Sequence, residues 1–131
     1  MGRINSRQKG AAGEREWARY LTELGFPAQR GCQHSGGVDS PDVKGGIPGT
    51  HAEVKRVEKL NLYAAMEQAK RDAGEGQIWY VAHRRNREKW AITLAADDLM
   101  SFCERVYLAH LGKAAECFGL DAEEMEDLIR S

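Results

Sequence analysis

His51-Ala52-Glu53-Val54-Lys55-Arg56-Val57 carries the reading of this chain's fold. The segment follows the turn Gly45-Gly46-Ile47-Pro48-Gly49 and reads as a strand. Side chains two apart on a strand share a face. Glu53 and Lys55 therefore project together, His51 shares their side, and Val54 points the other way into a core. An acid beside a base is also what ordinary surface salt bridges produce, so E-x-K alone decides little. Pro41-Asp42-Val43 upstream supplies a second carboxylate on a short extended segment. If Asp42 comes alongside Glu53, two carboxylates about 4 Å apart repel by roughly 4 kcal/mol at an effective dielectric of about 20. A divalent cation that prefers oxygen ligands, Mg2+, removes that repulsion.

Before this strand, Trp17, Leu21 and Leu24 recur at helical spacing, and Gly25 offers a C-cap, which predicts a helix over 11–24. Glu14 falls on the same stripe as Trp17 and Leu21. A carboxylate turned toward a core needs a cation partner, because an unpaired buried charge is costly. Its other reading is an exposed acid stabilised by the dipole at the helix start. Extended segments over 28–33, 42–44 and 51–57 suggest a meander. A second amphipathic helix is expected over 62–73, with Asn61 as N-cap and Gly74 beyond its end. Residues 78–83 form a continuous apolar run that fits a central strand buried on both faces, and 90–94 fits another short strand. The rest reads as two helices broken near Gly119, with Leu99, Phe102, Val106 and Leu111 on one stripe. Tyr63 and Trp79 are expected in the core. The order predicts an α/β fold, a mixed sheet flanked by helices, and no function by itself.

A chain of 131 residues suits one domain with a terminal extension, and its 42% hydrophobic and 30% charged content suits a soluble one. No apolar run reaches the roughly 20 residues of a membrane span, and the polar start is no signal peptide, so a cytoplasmic location is expected. Cys32, Cys103 and Cys117 lack a C-x-x-C pair and read as reduced thiols; His34 beside Cys32 has no second ligand pair that would make a zinc site. Residues 1–95 hold 16 Lys and Arg against 11 Asp and Glu, a net of +5, and residues 96–131 hold 3 against 9, a net of −6. A basic body suits a polyanion, and an acidic tail does not. No P-loop, G-x-G-x-x-G or Ser/His/Asp order points to a nucleotide cofactor or another chemistry.

Lys9-Gly10, Glu14-Arg15, Leu24-Gly25-Phe26, Arg30, Pro41-Asp42-Val43, Glu53-Val54-Lys55 and Glu67-Gln68-Ala69 follow one another in an order and spacing that resembles the archaeal-type Holliday-junction resolvases of the PD-(D/E)XK nucleases and their small phage-encoded relatives. The resemblance covers about residues 5 to 95. It implies a restriction-endonuclease-like central mixed sheet with flanking helices, a nuclease core over 1–95, and an acidic helical extension over 96–131 packed on that core or at a dimer interface. It implies a homodimer that cuts branched DNA with Mg2+, with Mn2+ able to substitute, in a bacterial host or phage-infected cell. Asp42 and Glu53 resemble the family's metal ligands, joined by the Val54 carbonyl, and Glu14 resembles the helix-borne acid that completes the site. Lys55 resembles the lysine that positions or deprotonates the attacking water, and Gln68 a glutamine that orients these groups or a phosphate. Ser35 resembles a catalytic serine in a glycine-containing loop, with Ser40 as its competitor.

The residues support that chemistry on their own terms. Hydrolysis of a phosphodiester needs up to roughly 23 kcal/mol of barrier lowering, more than one acid or base contributes. A metal held by Asp42 and Glu53 would polarise the phosphate and lower the pKa of bound water, with Lys55 adding positive charge. DNA phosphates would meet Arg7, Lys9, Arg30, Arg56, Lys59, Arg84, Arg85, Arg87 and Lys89, contacts that position without reading sequence; each is equally well a solvated surface residue. His51 could touch the site or serve the structure. Other readings are a nuclease acting on flaps, mismatches or duplex DNA, a DNA-binding module without catalysis, and an adaptor working through the acidic tail.

Overall fold

In the computed structural model, residues 6–31, 43–119 and 121–130 are described. Asp42 and Ser35 lie outside them, as do Ser40, Cys32 and His34, and so do the side chains of Arg7 and Lys9.

Helix α1 (Ser6–Leu24) begins five residues before the expected start. Its first turns are polar and show no apolar stripe, so periodicity could not place them. The helix closes in a Schellman motif: Gly25 takes φ 105°, the Phe26 N–H donates to the Leu21 carbonyl at 2.8 Å, and the Gly25 N–H to Thr22 at 3.0 Å. Strands β1 (Ala28–Arg30) and β2 (Val43–Gly45) pair antiparallel, Arg30 opposite Val43. Gly45 has φ 86°, and a Cβ there would stand 2.6 Å from the Pro27 carbonyl oxygen, so no other residue fits.

The expected meander is not formed. Strand β3 (Thr50–Arg56) leaves β1 and β2 as a separate pair and runs parallel to β4 (Ile78–Arg84), which in turn pairs antiparallel with β5 (Ala91–Thr93). A parallel pair needs a crossover, and helix α2 (Leu62–Asp72) supplies it. Asn61 caps α2 by accepting from the Ala64 N–H at 3.1 Å. β4 is central and buried, as its apolar run demands.

Two cores lie on opposite faces of this mixed sheet. Trp17 and Leu21 of α1 pack with Ala52, Val54, Tyr80 and Ala82 on one side, and Ala65 and Ala69 of α2 pack with Val81 on the other. After a short 3-10 turn (Ala96–Asp98) come α3 (Leu99–Phe118) and α4 (Ala122–Arg130), separated at Gly119 with φ 70°. Phe102 of α3 joins the first core, its ring edge-on to Tyr80 at 5.6 Å between centroids, and Arg105 donates to the Gly49 and Gly76 carbonyls. Leu99 lies half outside, because the first residue of α3 precedes the part that meets the sheet. Tyr63 is 78% exposed, against expectation: the turn of α2 that carries it aims Ala65 and Ala69 inward and Tyr63 outward. Trp79 packs partly buried against the α2 core.

Candidate active site

β3 is buried on both faces, and that sets the character of the site. The even residues Ala52 and Val54 serve the core, while His51, Glu53 and Lys55 face the α2 side. Glu53 is 2% exposed, an uncommon place for a carboxylate, and Lys55 Nζ lies 3.4 Å from its Oε1. The same ammonium donates to Gln68 Oε1 on α2 at 3.1 Å, so Lys55 is held between a carboxylate and an amide. Glu53 Oε2 and His51 Nε2, 3.8 Å apart, are buried without a hydrogen-bond partner among the described residues.

α1 brings Glu14 to this strand. Gly13 passes tightly against Arg56 and Val54, where a larger residue would hold the helix away. Glu14 Oε2 accepts a hydrogen bond from Arg30 Nε of β1 at 3.0 Å, which gives the partly buried carboxylate the cation it needs. Burial pushes the Glu14 carboxyl up; the Arg30 guanidinium works against this, and the charge of Glu53 adds to it. Val43, the residue after Asp42, pairs with Arg30, so β2 begins opposite the residue that holds Glu14. Glu14, Glu53, Lys55 and Gln68, distant in sequence, converge here with Arg30. The carboxylates of Glu14 and Glu53 lie near enough to repel each other, and an oxygen-preferring divalent cation suits that pair.

Of the basic residues, Arg56 and Arg84 both bind Glu16 of α1, Arg56 through Nε at 3.0 Å, and Arg84 also lies over the Trp90 ring. Arg85 and Glu88 form an exposed pair at 3.9 Å. Lys59, Arg87 and Lys89 are exposed.

Two residues escaped sequence reasoning. Glu16 has no role that the sequence assigns, and only the helix crossing shows what it holds. Asp72 comes to His51 and Glu53 so that one ligand atom from each lies within 4.8 Å of the others. Its signal was available, since Asp72 stands four residues after Gln68 and therefore on the same helix face.

A mixed sheet between helices, a buried glutamate two residues before a lysine on one strand, and a helix-borne glutamate beside them define a metal-dependent nuclease of the PD-(D/E)XK class. The family model described as archaeal Holliday junction resolvase (Hjc) matches residues 5–129, and the chain belongs to that family. Among solved structures the chain is similar to Archaeoglobus fulgidus Hjc, a Holliday junction resolvase from an archaeal hyperthermophile, at 28% identity over 66% of this chain and 72% of that one, with a TM-score of 0.45. No curated protein matches it.

Proposed function

We propose that this chain is a Mg2+-dependent endonuclease that hydrolyses phosphodiester bonds in branched DNA, Holliday junctions above all, and acts as a homodimer presenting two sites. The single observation that carries the chemistry is Glu53, buried yet charged-partnered by Lys55 on the same strand face. Asp42, Glu53, the Val54 carbonyl and Glu14 would hold the cation, with Mn2+ able to replace Mg2+. When bound, it supplies Lewis-acid polarisation of the scissile phosphate and acidifies water.

The chain's own groups do the rest. Lys55, fixed by Glu53 and Gln68, places positive charge beside the attacking water and orients it. Gln68 acts through Lys55, and Arg30 keeps the Glu14 carboxylate aimed at the site. Ser35 belongs to the same proposal as a further catalytic group. Lys59, Arg87 and Lys89, which are exposed, would meet phosphates, as would Arg7 and Lys9, while Arg30, Arg56, Arg84 and Arg85 would act from within ion pairs. Residues 1–95 would form the nuclease core and 96–131 its acidic extension; the contact of Phe102 with Tyr80 supports packing of the extension on the core. No described helix is long and apolar enough to cross a membrane, which agrees with a cytoplasmic enzyme.

The test incubates purified protein with four-way junctions, flaps, duplex and single strands, in Mg2+ or EDTA, beside Glu53→Ala. Cutting of junctions alone, abolished by EDTA and by the substitution, is the expected result. Cutting confined to flaps or duplex would reassign the substrate, and metal-independent binding with no cutting of any substrate would overturn the enzyme.

A further inference from the structure

The two carboxylate oxygens of Glu53 serve different neighbours. Oε1 faces Lys55 Nζ at 3.4 Å, toward the chemistry proposed above. Oε2 faces His51 Nε2 at 3.8 Å, beyond hydrogen-bond range. Neither Oε2 nor Nε2 has a hydrogen-bond partner among the described residues, although their side chains are only 2% and 9% exposed. An unmatched buried polar atom destabilises the fold, and here two of them lie 3.8 Å apart. Asp72 adds a third donor nearby: one ligand atom each from His51, Glu53 and Asp72 lie within 4.8 Å of one another.

Ligands around one metal ion stand roughly 3–4 Å apart when each bond is about 2.1 Å. His51 and Glu53, at 3.8 Å, are too far apart to hydrogen-bond and within the spacing of ligands on one ion, and the exposed Asp72 carboxylate, within 4.8 Å, reaches that spacing by side-chain rotation. Asp72 is the last residue of α2, so the negative end of the helix dipole favours a cation there. It is exposed and makes no ion pair with any described residue, which leaves the ion a path from solvent.

We propose that His51, Glu53 and Asp72 bind a divalent transition-metal ion at a second position, distinct from the Mg2+ position beside Lys55 and sharing Glu53 as a bridging carboxylate. An imidazole donor favours Co2+, Ni2+ or Zn2+ over Mg2+, so the two positions differ in the metal they prefer. An ion here matches the orphaned Oε2 and locks the Glu53 carboxylate in the orientation that directs Oε1 at Lys55. The site stands on its own donors, whether or not the chain cuts junctions.

The experiment uses the full, untagged chain without DNA, titrated with Co2+ and followed by proton NMR and by calorimetry, beside His51→Ala and Asp72→Asn. The wild-type protein is expected to show paramagnetically shifted imidazole resonances that vanish in His51→Ala. Asp72→Asn, at an exposed position that tolerates exchange, is expected to weaken Co2+ binding about tenfold or more, with an unchanged circular-dichroism melt. Equal Co2+ affinity in wild type and Asp72→Asn, or the absence of shifted imidazole resonances in the wild type, overturns the site. Because no cleavage is measured, failure here is separate from failure of the nuclease reading.

Discussion

Gly13 of α1 crosses β3 so close to Arg56 that a Cβ on the glycine would stand 3.1 Å from the Arg56 Cβ. Glu14, the next residue, is thereby within electrostatic reach of Glu53. Helix spacing and site geometry are one property. Gly13→Ala gains about 1 kcal/mol of helix propensity and loses a similar amount to the contact, so it should be near neutral. Gly13→Val should cost about 1–3 kcal/mol by overpacking and lower cleavage by displacing Glu14. Thermal melts and junction-cutting rates check both; a valine variant that melts and cuts like wild type would refute the tight crossing.

Lys55 and Gln68 separate a group that acts on the water from one that holds it. Lys55→Ala should slow single-turnover cleavage by about a hundredfold to ten-thousandfold with junction affinity retained. Gln68→Ala should slow it far less, because Glu53 still holds the ammonium. Equal losses in the two variants would mean that Gln68 itself touches the substrate.

Tyr80 is buried, which pushes its hydroxyl from the ordinary 10.0 up to about 12 even though it accepts a hydrogen bond from Trp17 Nε1 at 3.1 Å. A folded-state value above the unfolded one means full stability below about pH 10 and loss as pH rises toward 12, amounting to roughly 3 kcal/mol. Tyr80→Phe removes this alkaline loss but strands the Trp17 N–H at a cost of about 1–3 kcal/mol near neutral pH. Urea unfolding at several alkaline pH values, wild type against Tyr80→Phe, shows whether the two curves converge as expected.

Glu16 joins three elements by holding Arg56 of β3 and Arg84 of β4 from α1. Glu16→Ala leaves two partly buried guanidiniums unpaired and should destabilise the fold by about 1.5–3 kcal/mol. It also frees two cations, so the dependence of DNA affinity on salt should steepen by up to about 1.8 in log–log slope. Fluorescence anisotropy across a salt series measures this, and an unchanged slope would place both arginines away from DNA.

Much of the site was legible because spacing along one element dictates which side chains share a face. E-x-K on a strand put Glu53 and Lys55 together, and the stripe of Trp17 and Leu21 carried Glu14 inward; the structure bears out both. Gly25 and Asn61 marked helix ends for local reasons of backbone conformation and capping. Tyr63 was misjudged because an aromatic at a helix start satisfies the composition of a core without facing one.

The sequence by itself determined element type, the central apolar strand β4 and the acid–base pair on β3, since each is set by periodicities of a few residues. Only the tertiary structure decided that β3 runs parallel to β4 rather than continuing from β2, that Arg30 answers Glu14, that Glu16 answers two arginines, and that Asp72 meets His51 and Glu53. Those meetings depend on where whole helices cross the sheet. That crossing is fixed by how the two cores fill, on either face, and no local pattern encodes it.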